Sequence, residues 1–231
     1  NLKNKMKKTK YSYRFLFVPE TIGAIAYLST NIKSLKKKVI CGFVVSCVGD
    51  EKAYSHIQSR YGDNLADKAL NAALINKKNA KAYSFLHRGS DERQFCAPGI
   101  DLPFAGFCKS KYNEYPEYHT SADDLSLITN KGLKQSLELL EDIVKAFEIG
   151  LSPKVKILGE PQLGKRNLYP TLSKKNNYSG IRARMDFLAY CDGTNTIFDI
   201  CKIANIPLNQ AIDEAELLLS ENIIGFDDLP K

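Results

Sequence analysis

Residues 39–48 read Val-Ile-Cys-Gly-Phe-Val-Val-Ser-Cys-Val, an almost unbroken apolar run rich in β-branched side chains. A half-solvated strand alternates polar and apolar positions. A run apolar at both parities belongs to a strand buried on both faces, as in a parallel sheet covered by helices. The surrounding pattern supplies those helices. Residues 21–31 follow Pro19 and Glu20, with proline at the helix entry, where its missing N–H does no harm. Residues 63–76 put Leu65, Ala66, Ala69, Leu70, Ala73 and Leu74 on one stripe, and residues 131–147 line up Leu133, Leu137, Leu140, Val144 and Phe147. Between them lie strand-like pieces at 11–18, 82–86 and 102–107. Strands alternating with helices predict an α/β domain over residues 1–150, with a mostly parallel sheet and helices on both faces.

Residues 151–180 hold Pro153, Pro161 and Pro170 among Gly, Lys and Asn and read as a connector. Residues 181–231 predict a small winged-helix-like domain: a helix over 181–191, Thr196 capping 197–204, a turn at Asn205-Ile206, a helix from Pro207 to Ser220, and a β wing at 223–226. The last helix offers Asp213, Glu214 and Glu216 and no basic residue, so phosphate would be repelled. Lys and Arg outnumber Asp and Glu by 29 to 17 in residues 1–180 (+12), whereas the tail has 4 against 9 (−5). The tail therefore reads as a packing or protein-contact module. A nucleic-acid-binding regulator is the weaker alternative, resting on the basic balance and the tail's topology.

No apolar run approaches the roughly 20 residues that span a bilayer, and no signal peptide is visible. The six cysteines, at 41, 47, 96, 108, 191 and 201, form no C-x-x-C pair, which favours free thiols and a cytoplasmic setting. Cys96 and Cys108 fall in loop-like sequence near the candidate site. The chain opens on Asn1 in mid-pattern and is expected to be part of a longer protein.

Polar groups follow the predicted strands: Glu20, Asp50, the loop around Asp91, and His119. In an α/β sheet the loops beyond the carboxyl ends of strands gather the chemistry. His119, followed by Thr120 and by Asp123 and Asp124, suits a metal ligand held in a turn before a helix; Thr120 or Ser121 as a simple N-cap explains the same residues equally well. His56 and His87 lack such a context and read as packing or surface histidines.

The blocks Gly89-Ser90-Asp91 and His119-Thr120-Ser121-Ala122-Asp123-Asp124-Leu125 resemble the end of the catalytic domain in the zinc-dependent aminopeptidase family, which includes bacterial leucyl aminopeptidases and is related to glutaminyl cyclases. Pro19-Glu20-Thr21-Ile22-Gly23, Cys47-Val48-Gly49-Asp50 and Tyr115-Pro116-Glu117-Tyr118-His119 resemble a bacterial branch in which a winged-helix-like domain follows. The resemblance implies a hydrolase of peptide or amide bonds acting on a small peptide or amino-containing amide, with Glu20 as general base and His119, with Asp50, as metal ligands. Asp91 would orient the site loop, Arg93 would hold a substrate carboxylate, and Tyr115 and Tyr118 would line the pocket. It implies one or two zinc ions in the complete protein. Nucleic acid and membrane are not expected as partners, and homo-oligomerisation stays open. Thr21 stands where the family has a second Glu and Ser46 where it has an Asp, and the family's upstream His and bridging Asp have no counterpart in residues 1–10. This chain alone is therefore expected to bind metal weakly or not at all. A catalytically inactive member used for assembly or binding is the alternative.

Overall fold

The computed structural model describes residues 9–166, 168–169 and 178–226. The chain divides into two units, residues 12–140 and residues 1–11 with 141–231.

In the first unit, helix α1 (Ile22–Lys38) precedes strand β1 (Gly42–Val45), followed by β2 (Tyr54–Ile57), α2 (Leu65–Ala73), β3 (Ala80–Tyr83), the short α3 (Glu92–Phe95) and β4 (Phe104–Cys108). The sheet order is β1-β4-β2-β3. β1 pairs parallel to β4 with Gly42 opposite Phe104, and β2 parallel to β3 with Tyr54 opposite Ala80. β2 and β4 are antiparallel, His56 facing Phe107. Two of the three strand pairings are therefore parallel and the central one is antiparallel, so the sheet is mixed. Only residues 46–53 separate β1 from β2. A parallel return needs a crossover of a dozen or more residues, so the chain runs back antiparallel.

β2 escapes a reading by apolar pattern because its buried residues include Ser55 and His56. Their polarity is satisfied inside: the Ser55 hydroxyl donates to the Lys109 carbonyl (2.8 Å), while His56 bonds Asp67 (2.9 Å) and Asn71 (3.0 Å). Helix α2 starts at a capping box, Asn64 accepting from the Asp67 N–H and Asp67 from the Asn64 N–H. Helix α1 runs a full turn and more beyond residue 31. Ala24, Leu28 and Leu35 bury one face against Phe95 and Leu102, and Lys36, Lys37 and Lys38 meet the negative end of the helix dipole. Phe95 stacks on Phe104 at 4.3 Å.

Residues 12–17 are not a strand. They run without a ladder, leaving Phe15 72% and Phe17 92% exposed. Contacts with α1 hold this stretch instead, the Arg14 guanidinium donating to the Tyr27 hydroxyl at 2.5 Å.

Helix α4 (Asn130–Ile149) spans the division between the units. In its first half the buried face is one position away from the expected stripe: Gly132, Ser136 and Leu139 are buried, whereas Leu133 and Leu137 are each 46% exposed. The reason is close backbone approach. A Cβ on Gly132 would sit 2.1 Å from the Gly49 carbonyl oxygen, and the Ser136 hydroxyl donates to the Val48 carbonyl at 2.8 Å.

The second unit contains β5 (Pro153–Val155), α5 (Tyr178–Ala189), α6 (Ile197–Ala204), α7 (Leu208–Ser220) and β6 (Ile224–Phe226). β5 and β6 form an antiparallel pair, so the expected connector supplies the partner strand of the wing; the part of it at 170–177 lies outside the described residues. Thr196 and Asp199 form a second capping box, and Asn205 ends α6 in the left-handed conformation at φ 52°. Phe187, Ile197, Ile200, Leu208, Ala211, Ala215 and Leu218 make its core. A buried pair ties α5 to α7, Arg184 Nε donating to Glu214 Oε2 at 2.6 Å. No helix among the described residues is long and apolar enough to cross a membrane.

Candidate functional site

The Gly89–Arg93 segment is set by a buried glutamate that sequence reasoning overlooked. Glu92 Oε1 accepts from the Gly89 N–H (2.8 Å), the Ser90 N–H (3.0 Å) and the Tyr112 hydroxyl (2.6 Å). Gly89 lies against the Tyr112 ring, where a Cβ would come within 2.5 Å. Tyr112 follows the carboxyl end of β4, so the loop is anchored there. This places Asp91 and Arg93 beside the start of α1. Asp91 Oδ1 accepts the Thr21 N–H at 2.7 Å, and the Arg93 guanidinium donates to the Thr21 hydroxyl.

Thr21 itself has φ 64° and ψ −69°, and the Ile22 N–H closes on the Glu20 carbonyl at 2.7 Å. This is the rare, strained form of the γ-turn. For a β-branched residue such a conformation costs about 1–3 kcal/mol and persists only where the surroundings over-determine it. Glu20 is exposed at the head of this turn. Among the described residues no hydrogen bond holds its carboxylate.

The loop after β4 carries an aromatic cluster. Tyr115 and Tyr118 meet edge-on at 5.5 Å, and the His119 ring stacks on Tyr118 at 4.0 Å. His119 is exposed and has φ 58°. The Tyr115 hydroxyl donates to Asp123 Oδ2 at 3.0 Å and lies 3.8 Å from the Cys47 sulfur. Burial raises the Tyr118 phenol above its ordinary pKa, and the charges of Cys47, Glu20 and Asp123 add to this while Arg93 opposes it. Asp91 is lifted likewise, chiefly by burial, with Glu20 and Glu92 adding and the Thr21 N–H and Arg93 opposing. Glu20, Asp91, Arg93 and Tyr118 thus share one electrostatic neighbourhood, and His119 adjoins it through its stacked neighbour.

Asp50 has other commitments. Oδ1 accepts the Lys52 N–H (2.8 Å) and the Ser110 hydroxyl (2.8 Å), and Oδ2 accepts the Ser110 N–H (2.8 Å). It braces the two loops that follow β1 and β4, its side chain closing the turn at Lys52. Among the described residues, no group of three or more His, Cys, Asp or Glu side chains is arranged to hold a metal ion. Glu20, Asp50 and His119 therefore do not compose a zinc site by themselves.

Residues 1–150 match a domain family described as a domain of unknown function (DUF4910), and residues 152–225 match a winged helix-turn-helix family. The chain belongs to the DUF4910 family. A relative from Clostridium acetobutylicum, named "Putative polysaccharide biosynthesis protein with aminopeptidase-like domain", is 38% identical over 200 residues, 84% of this chain and 45% of the relative. A crystal structure described as a "putative peptidase" from the same organism superposes with a TM-score of 0.80 at 32% identity, covering 98% of this chain and 50% of that one. This DUF4910 chain spans about half the length of the relatives it matches.

Proposed function

We propose that this chain carries the base-bearing part of an aminopeptidase-like hydrolase acting on peptide or amide bonds. The observation behind it is the convergence of Glu20, Asp91, Arg93 and Tyr118 from separate segments, beside relatives named for peptidase-like domains. Glu20 takes the proton of a water attacking the amide carbonyl and returns it to the departing amine. It is exposed, and among the described residues no hydrogen bond occupies its carboxylate oxygens. Tyr118, with its raised pKa, stays protonated at neutral pH and can donate to a substrate oxygen.

Zinc dependence is the finer form of this reading and rests on the family resemblance. His119 is the ligand this chain would contribute; Asp50 is held by other donors.

The test is release of p-nitroaniline from aminoacyl p-nitroanilides by the longer protein to which this chain is expected to belong, supplied with zinc. Glu20→Gln should lower kcat about 100-fold or more. Turnover that survives Glu20→Gln, or no turnover at all, removes the reading.

Thr21 and Ser46 at two of the family's acidic positions, with no three-ligand group among the described residues, favour a second reading: an inactive aminopeptidase-fold protein used for assembly or binding. Stoichiometric zinc in the purified protein would count against it. For the winged-helix unit we propose a packing or protein-contact role, supported by the exposed Asp213 and Glu216 of α7, a helix without Lys or Arg. Salt-dependent DNA binding would overturn that assignment.

A further inference from the structure

We infer that Asp91 and Arg93 are positioning residues, a latch that holds the Thr21 γ-turn closed and thereby fixes the carboxylate of Glu20. This rests on the reading of Glu20 as the base.

A helix start needs no such device. An ordinary N-cap residue sits in extended conformation and satisfies the first free N–H groups with its own side chain. Thr21 has a positive φ and makes no capping bond of its own. Its N–H and hydroxyl are instead taken by two side chains from a segment 70 residues away, Asp91 and Arg93. That segment is in turn fixed from below by the three donors on Glu92 Oε1. The chain of support runs from Tyr112, after β4, through Glu92 to Asp91 and Arg93, and ends on the peptide that carries Glu20. Each link is a hydrogen bond between separate parts of the fold, so the turn is determined from outside rather than by its own sequence. A strained turn released from its anchors relaxes, and Glu20 moves with it. A base displaced by about 1 Å loses much of its rate advantage, which gives selection a reason to keep the strain.

Hydrogen exchange at the Ile22 amide, which closes the turn on the Glu20 carbonyl, reports the latch directly. Asp91→Ala and Arg93→Met should speed that exchange at least tenfold while core amides of α2 stay protected. Asp91→Asn, which keeps an acceptor at Oδ1, should restore the slow rate. In the hydrolysis assay both loosening variants should lower kcat at least tenfold with KM unchanged, and neither should cost anything further in a Glu20→Gln background. Unchanged Ile22 exchange in Arg93→Met and in Asp91→Ala overturns the latch, as does a loosened turn with kcat intact. An inactive wild type overturns the catalytic reading alone, because exchange at Ile22 decides whether the latch exists. Arg93 is half-buried, so Arg93→Met supplies the answer even where Asp91→Ala fails to fold.

Discussion

Lys109 is the most open to test of the fold's internal commitments, because a cation is buried there with no anion in contact among the described residues. It follows β4 and is wholly inaccessible to solvent. Its ammonium donates to Gln135 Oε1 at 3.0 Å and lies 3.3 Å from the centre of the Tyr54 ring; Asp50 and Glu51 act only at longer range. Burial depresses its pKa below the ordinary lysine value. Removing such an ion from water costs several kcal/mol. The charged hydrogen bond returns about 1.5–3 kcal/mol and the ring face about 2 kcal/mol. The balance is slightly unfavourable. Lys109→Met keeps the apolar stem, removes the charge and leaves Gln135, which is half-buried, able to reach water. We expect it to stabilise the protein by about 1 kcal/mol at pH 7, read as a higher urea midpoint. The sign of the pH dependence follows. The folded-state pKa lies below the unfolded one, so between them the unfolded chain binds more protons and wild-type stability rises with pH. The advantage of Lys109→Met should therefore shrink as pH climbs through the folded pKa toward about 10.4, the unfolded value. A variant less stable than wild type at pH 7, or an advantage that widens with pH, refutes this balance.

Two further changes test the frame around the site. Asp67 is fully buried and accepts from His56, Ser59 and Asn64, so Asp67→Ala strands these donors and should cost about 3–5 kcal/mol in chemical denaturation. Gly132→Ala drives a methyl into the Gly49 carbonyl, a backbone atom that cannot rotate away, and should cost about 1–3 kcal/mol or more, seen as a lower melting temperature.

The fold was legible where apolar period and packing agree. The apolar stripe of α2 and the Thr196 cap of α6 follow from local chemistry that the structure reproduces, because each residue there serves the element in which it sits. Legibility failed where distant groups intervene. β2 hides because Ser55 and His56 draw their partners from Lys109, just after β4, and from α2. The stripe of α4 slips by one position because Gly49 lies close enough to demand glycine, and nothing in the helix's own sequence announces that neighbour. The aromatic, β-branched stretch before Pro19 has strand propensity, yet a strand requires an edge to pair with; without one, propensity yields only extended chain with exposed Phe15 and Phe17.

The site divides along the same line. A motif identifies which carboxylates gather but not which remain free. Asp50 and Glu92 are as acidic as Glu20 and fall in equally suggestive sequence, yet one has its oxygens engaged by Ser110 and Lys52 and the other is locked under Tyr112. Oxygens already occupied by fixed donors are not open to a water molecule. Glu20 is the opposite case: it is exposed, no hydrogen bond holds its carboxylate among the described residues, and the next residue, Thr21, is bonded through its N–H and hydroxyl to Asp91 and Arg93. That pairing of a free side chain with a constrained main chain is what a general base requires. It arises here only through contacts separated by 70 residues of sequence, between Thr21 and Asp91, which is why no reading of residues 19–23 alone could distinguish a base from a surface acid at the start of a helix.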